Sequence, residues 1–439
     1  MKIILRLCLI MLALVAWAVL VFFGTIEGWW KRPLAPRGDT AAFAQAATKF
    51  INDQNKGNAA LALLDHGSVT GEHALSVGAP VDTNTVFQVA SLSKWITAWG
   101  VMALVDQGKL DLDAPVGRYL KRWKLPASQF ENDGVTARRL LSHTAGLADG
   151  LGYAGFPPGM PVQTLEESLT KPADASPGAS GLIQVAEEPG RKWKYSGGGY
   201  AILQLLVEDI SGEPFEDFMQ RTVLQPLGMS HSSFVAPPAD VPVAVSYDTN
   251  SQPAILYRFA ALAPTSLYTT VADLTRFLQA HIPGKDGAPS GRGVLAPATV
   301  QEIWQPHAEQ FGVDVWGLGT MLFAPNNSGG YIIGHDGKNE PAINTTARLN
   351  PATGNGIIIL ETGAPLLATR LAGEWVVWET GKLDFLAVAM ALPRMLRVIG
   401  VGALVIVATC VAFWLWRRKT RAIRVQAALK IRAICVIRG

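Results

Sequence analysis

Two long uncharged runs, one near each end, constrain this chain more than anything between them. Leu7 to Phe23 is 17 residues without a charge, preceded by Lys2 and Arg6. Val398 to Trp416 is 19 residues without a charge. As a helix it spans roughly 28 Å, the thickness of a bilayer core. Trp414 and Trp416 close that run, and Arg417, Arg418, Lys419, Arg421 and Arg424 follow at once. Aromatic residues at a span's end and a basic flank read as a transmembrane helix with a cytoplasmic tail. The first run ends Phe22-Phe23-Gly24-Thr25-Ile26-Glu27-Gly28-Trp29-Trp30, without the small residues that signal peptidase needs. It reads as an uncleaved anchor, with a signal segment as the alternative. With both basic flanks inside, the body between the spans lies outside the cytoplasm. The expected organisation is a membrane segment over 1–32, a catalytic-sized domain over 33–383 and a juxtamembrane linker over 384–397. A transmembrane helix over 398–416 and a basic tail over 417–439 follow.

Charge and cysteine usage narrow the body further. Residues 33–393 carry 24 basic and 34 acidic side chains, a net of −10, although the whole chain is +3. A surface of that sign excludes a basic nucleic-acid-binding body. Cys8 and Cys410 lie in the apolar runs and Cys435 in the tail, so the body has no cysteine. Disulfides, thiol catalysis and cysteine-held metals are excluded there, and an ordinary hydrophobic core must hold it together. No His-x-x-x-His pair occurs among His66, His73, His143, His231, His281, His307 and His335. Neither a metal nor another cofactor is called for.

Apolar patterning gives the elements. Asn58–Asp65 and Glu72–Val77 read as strands around a His66-Gly67-Ser68 turn. Trp95–Gln107 reads as a helix ended by Gly108, and Tyr200–Ile210 as a helix ended by Ser211-Gly212. Thr270-x-x-Asp273 opens another helix. Ile343–Leu349 and Gly356–Leu360 read as late strands, and Leu366–Trp378 as a final helix. Residues 149–190 are rich in Pro, Gly and Ala and read as a long loop. Strands at both ends with helices between predict an α+β domain whose two chain ends share one sheet. Gly150-Leu-Gly152-Tyr-Ala-Gly155 matches a dinucleotide pattern, but Phe156-Pro157-Pro158 after it cannot open the helix that pattern needs.

Two Ser-x-x-Lys patterns occur. Ser168-Leu-Thr-Lys171 follows Glu166-Glu167 and reads as a solvated loop. Ser91-Leu92-Ser93-Lys94 follows the apolar Val86–Ala90 stretch and opens the helix from Trp95. Residues three apart share a helix face. A buried lysine there has a lowered pKa and accepts the serine proton. The helix N-terminus offers backbone N–H groups to an oxyanion. The alternative is a capping serine beside an exposed lysine.

Residues 86–122 resemble the serine hydrolases that include class C β-lactamases and D,D-peptidases, the penicillin-binding-protein-like family. Leu140-Leu-Ser-His143-Thr-Ala-Gly146-Leu147, Tyr195-Ser-Gly197, Pro226-Leu-Gly-Met229, Leu267–Leu274 and Gly334-His335-Asp336-Gly337 match further blocks of that family, in its order and spacing. The resemblance covers about residues 40–380. It implies a β-lactamase/D,D-peptidase-like antiparallel sheet flanked by helices, with a helical subdomain. It implies that Ser91 is acylated and that Lys94 is its proton acceptor. It also implies that Tyr195 serves the leaving group and the deacylating water. A phenol does this near neutral pH only beside cations such as Lys94. His335 and Gly337 are expected on the strand edge lining the cleft, with the backbone N–H groups of Ser91 and Lys338 forming the oxyanion hole. His143 is expected to support the fold.

Departures from the family pattern bear on substrate. Gly197 stands where the family has the asparagine that holds an acyl side-chain amide. His335 replaces a lysine, which weakens capture of a substrate carboxylate. Lys338-Asn339-Glu340-Pro341 and Pro264-Thr265-Ser266 replace glycine-rich stretches. The acylation residues are intact while those recognising a penicillin-like substrate are altered. The expected function is a membrane-anchored serine hydrolase of a bacterial inner membrane, its domain periplasmic or extracellular. Its expected substrate is an amide, an ester or a D-amino-acid-containing cell-wall peptide. The alternatives are a lipid-like ester hydrolase and a catalytically weak binding or sensing protein. The expected partners are a small-molecule or peptide substrate and the membrane.

Overall fold

The computed structural model describes residues 2–150 and 152–437, with side chains for 4–150 and 152–430. Leu151 of the glycine motif, the Cys435 side chain and the chain ends at 1 and 438–439 lie outside these. The chain divides into two compact units, Pro33–Phe385 and the terminal segments Met1–Arg32 with Leu386–Gly439.

In chain order the helices are α1 Lys2–Ile26, α2 Thr40–Gln54, α3 Ser93–Asp106, α4 Ala137–Leu141, α5 Leu165–Thr170, α6 Gly197–Ser211, α7 Phe215–Met219, α8 Val271–Ala280, α9 Pro297–Ile303, α10 Leu367–Thr380 and α11 Phe385–Ile437. The strands are β1 Ala59–Asp65, β2 Ser68–Leu75, β3 Phe87–Gln88, β4 Ser246–Tyr247, β5 Pro253–Ala254, β6 Tyr268–Thr269, β7 Ala308–Gln310, β8 Val313–Trp316, β9 Met321–Pro325, β10 Tyr331–Asn339, β11 Ile343–Asn350 and β12 Asn355–Thr362. Eight strands form one antiparallel sheet in the order β2-β1-β12-β11-β10-β9-β8-β7. The first strand thus pairs with the last, from Ala59↔Glu361 to Leu64↔Gly356, as the apolar patterning predicts.

Helices cover both sheet faces, so β1 is apolar on both sides rather than alternating. Ala60, Ala62, Leu64, Ile358 and Leu360 face the main core with α3 and α8. Leu63 faces Phe43 of α2 and Trp375 of α10 on the other side. α3 is buried from Ser93 to Leu104, which its all-round apolar sequence requires. Its Trp95 and Trp99 are fully buried against Phe277 and His281 of α8. Burying each indole contributes about 5 kcal/mol of transfer free energy. α6 crosses α3 and carries the helical part of the domain with α4, α5 and α7.

Several elements differ from the sequence reading. The strands β7 to β9 leave no clear pattern in the sequence, because they are three to five residues long, glycines interrupt the run between them, and the β7–β8 register shifts. α6 starts at Gly197, three residues before the expected Tyr200, because the Ser196 hydroxyl accepts from Gly199 N and opens the helix early. Ser168 is not in a solvated loop: it lies in α5, fully buried, under a Thr164–Glu167 capping box. The stretch expected as a linker over 384–397 is helical from Phe385, with Pro393 inside the helix.

In the terminal unit, α1 and α11 each contain a stretch long and apolar enough to cross a membrane, Ile4–Ile26 and Phe385–Lys430. Trp17 of α1 donates its indole N–H to Ile399 O at 3.3 Å and lies over Gly402, where any side chain would collide with the ring.

Candidate active site

The turn carrying Ser91 is pinned from several sides. β3 pairs with β6, and Val89 N donates to Leu267 O at 3.0 Å. Ala90 then adopts φ +50°, a left-handed conformation that a residue with a Cβ holds only when its surroundings enforce it. A single 3-10 turn, Ala90–Leu92, leads into α3. The two serines divide the work. Ser93 donates to Ala90 O at 2.6 Å and accepts from Leu267 N at 3.0 Å, stapling the turn. Ser91 is half-buried, and its Oγ accepts from Lys94 Nζ at 3.0 Å.

Lys94 is 1% exposed and also donates to Pro264 O at 2.7 Å. Burial pushes its ammonium down to about 7, against the opposing charge of Asp149. Near neutral pH a large fraction of Lys94 is therefore a free amine, a base within hydrogen-bond reach of Ser91.

Tyr195 is half-buried, hydrogen-bonded to Ser91, with Lys94 Nζ 4.9 Å from its ring centroid. The cation does not make it a phenolate. Burial pushes the phenol above its ordinary range and outweighs the hydrogen bond to Ser91. Tyr195 is thus a protonated phenol at neutral pH, which suits a proton relay to the leaving group and the deacylating water rather than a phenolate. Its position comes from the next residue. Ser196 caps α6 and donates to Asp149 Oδ1 at 2.6 Å, while Gly198 N donates to Asp149 Oδ2 at 2.8 Å. Ser196 N donates to His143 Nδ1 at 3.1 Å, so the His143 proton sits on Nε2. His143 stacks on Tyr195 at 4.4 Å and is held neutral by burial and by Lys94.

β10 forms the third wall. It pairs with β9 only over Tyr331–Gly334 and with β11 from Ile333 to Asn339. Beyond Gly334 its other side faces the Ser91 turn. A Cβ on Gly337 would lie 2.1 Å from Val89 O and 2.4 Å from Thr345 Oγ1, so only glycine lets the strand approach this closely. Thr345 Oγ1 in turn donates to Val89 O at 2.8 Å. Lys338 follows, its side chain exposed. His335 is 1% exposed and lies edge-on to Trp316. Its Nδ1 donates to Asp336 O at 2.7 Å, and burial with the nearby Lys94 pushes it down to about 3. It is a neutral, buried wall residue, not a cation presented to an open cleft.

Gly197 has a reason of its own. A Cβ there would meet Gly152 Cα at 3.2 Å and the Tyr153 ring at 3.3 Å. The loop after Asp149 occupies the corner into which a side chain at 197 would project. The structure therefore brings Ser91, Lys94 and Tyr195 into direct contact, with Gly337 against the Ser91 turn and Gly197 two residues from Tyr195. Sequence reasoning missed Asp149, Trp316 and the contact of His143 with Tyr195. The one local cue was a carboxylate just after the Gly146-Leu147 block. Among the described residues no three His, Cys, Asp or Glu side chains converge.

Three comparisons bear on this geometry. The family model described as Beta-lactamase matches residues 43–382. Penicillin-binding protein 4 of Amycolatopsis lactamdurans is 30% identical over 292 residues, 62% of this chain and 71% of that protein. Esterase EstB of Burkholderia gladioli is 31% identical over 218 residues, 46% of this chain and 52% of that protein. The chain spans about half the length, or less, of several curated relatives it matches. The octameric penicillin-binding protein homologue from Pyrococcus abyssi superposes with a TM-score of 0.63 at 23% identity, covering 79% of this chain and 78% of that one. That superposition shows the fold.

Proposed function

The chain belongs to the β-lactamase family, and we propose that it is a serine hydrolase acting through an acyl-enzyme on Ser91. The observation that carries this is the fully buried Lys94 amine, poised near neutrality and 3.0 Å from Ser91 Oγ. As Oγ bonds to the substrate carbonyl carbon, its proton passes to the neutral Lys94 amine. The carbonyl electron pair moves onto oxygen, facing the backbone N–H groups of Ser91 and Lys338. Collapse of that intermediate expels the leaving amine or alkoxide, and Tyr195 gives it a proton. Water then attacks the ester carbon. Its proton returns through Tyr195 and Lys94, and Ser91 Oγ leaves as the hydroxyl.

The substrate in this reading is an amide or ester, including D-amino-acid-containing cell-wall peptides. α1 and α11 anchor the enzyme in a bacterial inner membrane with the domain on the periplasmic or outer side. The basic run after Trp416 supports that orientation. The filled corner at Gly197 favours a second reading, an esterase for compact acyl groups.

The test treats the detergent-solubilised chain and its Ser91→Ala variant with a fluorophosphonate and a fluorescent penicillin, reading adducts by intact mass. Labelling of wild type alone by both supports a peptidase. Labelling by the fluorophosphonate alone supports the esterase. A folded protein labelled by neither overturns the hydrolase reading.

A further inference from the structure

The β1–β2 turn, the C-terminal half of α8 and the loop that follows it enclose an open cavity of about 480 Å³ that the acyl-transfer chemistry does not use. That volume lies within the range of small-ligand sites, about 300–1,000 Å³. Its charged groups are unbalanced. Arg276, Lys285 and Arg292 line it against one acid, Asp286, with His66 of the turn beside them. Arg276 gives one arm to the buried Asp273 at 2.9 Å and stays half exposed. His66 Nδ1 faces Asp65 at 2.7 Å, and Asp286 Oδ1 accepts from Ala288 N at 3.1 Å. Lys285 donates to Ser68 Oγ at 2.6 Å, and Arg292 donates to the carbonyls of Gln279, Ala288 and Pro289. Among the described residues neither Lys285 nor Arg292 pairs with a carboxylate. Hydrogen-bond donors with surplus positive charge suit a phosphate.

A short chain of contacts ties this cavity to the end of the domain from which both connections to the terminal helices leave. His66 N donates to Asn355 Oδ1 at 3.0 Å, and Gly67 N to Gly354 O at 2.8 Å. Asn355 and Thr353 in turn donate to the Glu379 carboxylate of α10 at 3.1 and 3.0 Å. Arg37 donates to Trp378 O and Glu379 O, and the Trp378 indole donates to Pro36 O at 2.7 Å. Pro36 comes six residues after Trp30, and Phe385 six residues after Glu379. Six residues reach at most about 20 Å. Residues 385–393 are uncharged, so the apolar stretch leading to the second span starts at the edge of the domain. With Trp29 and Trp30 at the membrane interface, the β1–β2 turn is tethered within reach of the lipid headgroups.

We infer that this cavity takes the phosphate of an anionic phospholipid headgroup, with Arg276, Lys285 and Arg292 as its donors. The inference rests on the membrane-anchor reading above and is independent of the chemistry at Ser91.

The test reconstitutes the full chain in nanodiscs of phosphatidylcholine or of phosphatidylglycerol and follows backbone hydrogen exchange by mass spectrometry. The basic run after Trp416 also attracts anionic lipid, so the readout is exchange within residues 283–293 rather than total lipid bound. Phosphatidylglycerol is expected to slow exchange there about fivefold, the scale of one basic side chain at an anionic surface, and to leave α5 unchanged. Lys285→Glu, at an exposed position, is expected to abolish the difference between the discs, and Lys171→Glu in the helical part of the domain to preserve it. Equal exchange in both discs, with the wild-type chain embedded in each, overturns the site and leaves the anchor standing. That result needs no variant to fold. A chain that enters neither disc overturns the anchor and the site together. Slowing of α5 to the same degree, or a difference that survives Lys285→Glu, also overturns the site. Glycerol 1-phosphate added to phosphatidylcholine discs separates the sources of phosphate. Equal slowing by that soluble compound overturns the lipid assignment, and slowing by phosphatidylglycerol alone supports it.

Discussion

Lys94→Met is expected to make this protein more stable at pH 7 while abolishing turnover. A lysine ordinarily titrates at 10.5, and burial brings Lys94 down to about 7. The folded state therefore binds fewer protons than the unfolded chain between those values, and wild-type stability rises with pH across that window. Below pH 7 the full penalty of burying the ammonium applies. The gap from 10.5 to about 7 corresponds to about 5 kcal/mol, of which about 4 remains at pH 7. Against this, Met leaves Pro264 O without its donor and removes a hydrogen bond to Ser91, a loss of about 1–2 kcal/mol. Met matches the lysine stem in length and fills the same space. The net expectation is about 2–3 kcal/mol of stabilisation at pH 7. The gain shrinks as pH rises and becomes a small loss above 10.5. Urea denaturation in fixed detergent, followed by tryptophan fluorescence from pH 6 to 10.5, reads this directly. A variant destabilised at pH 7, or a difference that does not change with pH, refutes the reasoning. Turnover of any substrate that wild type accepts falls by at least about 10³-fold, the scale of losing an essential base.

Three further outcomes follow from the same geometry. Gly337→Ala places a methyl 2.1 Å from Val89 O, so β10 must retreat by about 1 Å; urea denaturation reads a loss of about 1–3 kcal/mol and steady-state kinetics a fall in kcat/KM of about 10²-fold. Asp149→Asn removes the charge that raises Lys94, so the acid limb of the rate profile, near pH 7 in wild type, moves to lower pH; an unmoved limb refutes the assignment of that limb to Lys94. Arg348→Met leaves Asp336 and Asp384 buried without the guanidinium that bonds them at 2.9 and 2.5 Å, and denaturation is expected to show a loss of about 3–5 kcal/mol.

What could be read from the sequence follows the range of the forces involved. β1, β11 and β12 announce themselves because central strands need unbroken apolar runs and their hairpin turns carry glycine. Ser91 and Lys94 are legible because three-residue spacing at a helix start fixes their geometry locally. Ser168 carries a local cue as well, the Thr164-x-x-Glu167 capping box that starts its short helix, although Glu166-Glu167 and Pro172 around it give the segment the composition of a solvated loop. Asp149 is different. It reaches Ser196 across 47 residues in which the short α5 is the one helix, and no periodicity encodes that contact. The protonation of Tyr195 was equally hidden. A cation nearby argues for ionisation, whereas the burial that outweighs it exists only once the loops have closed over the ring.

The order of the strands also dictates when this domain can exist. Ala59 waits for Glu361, about 300 residues later, before the middle of the sheet is complete. During synthesis the β1–β2 hairpin stands with a bare apolar edge, the kind of surface that recruits the wrong partner. Loop closure over such a distance is slow, and the last strand ends shortly before α11 begins. Nascent chains stalled before Asn355 are therefore clients for holding factors or proteases, and maturation of the domain coincides with arrival of its second apolar helix.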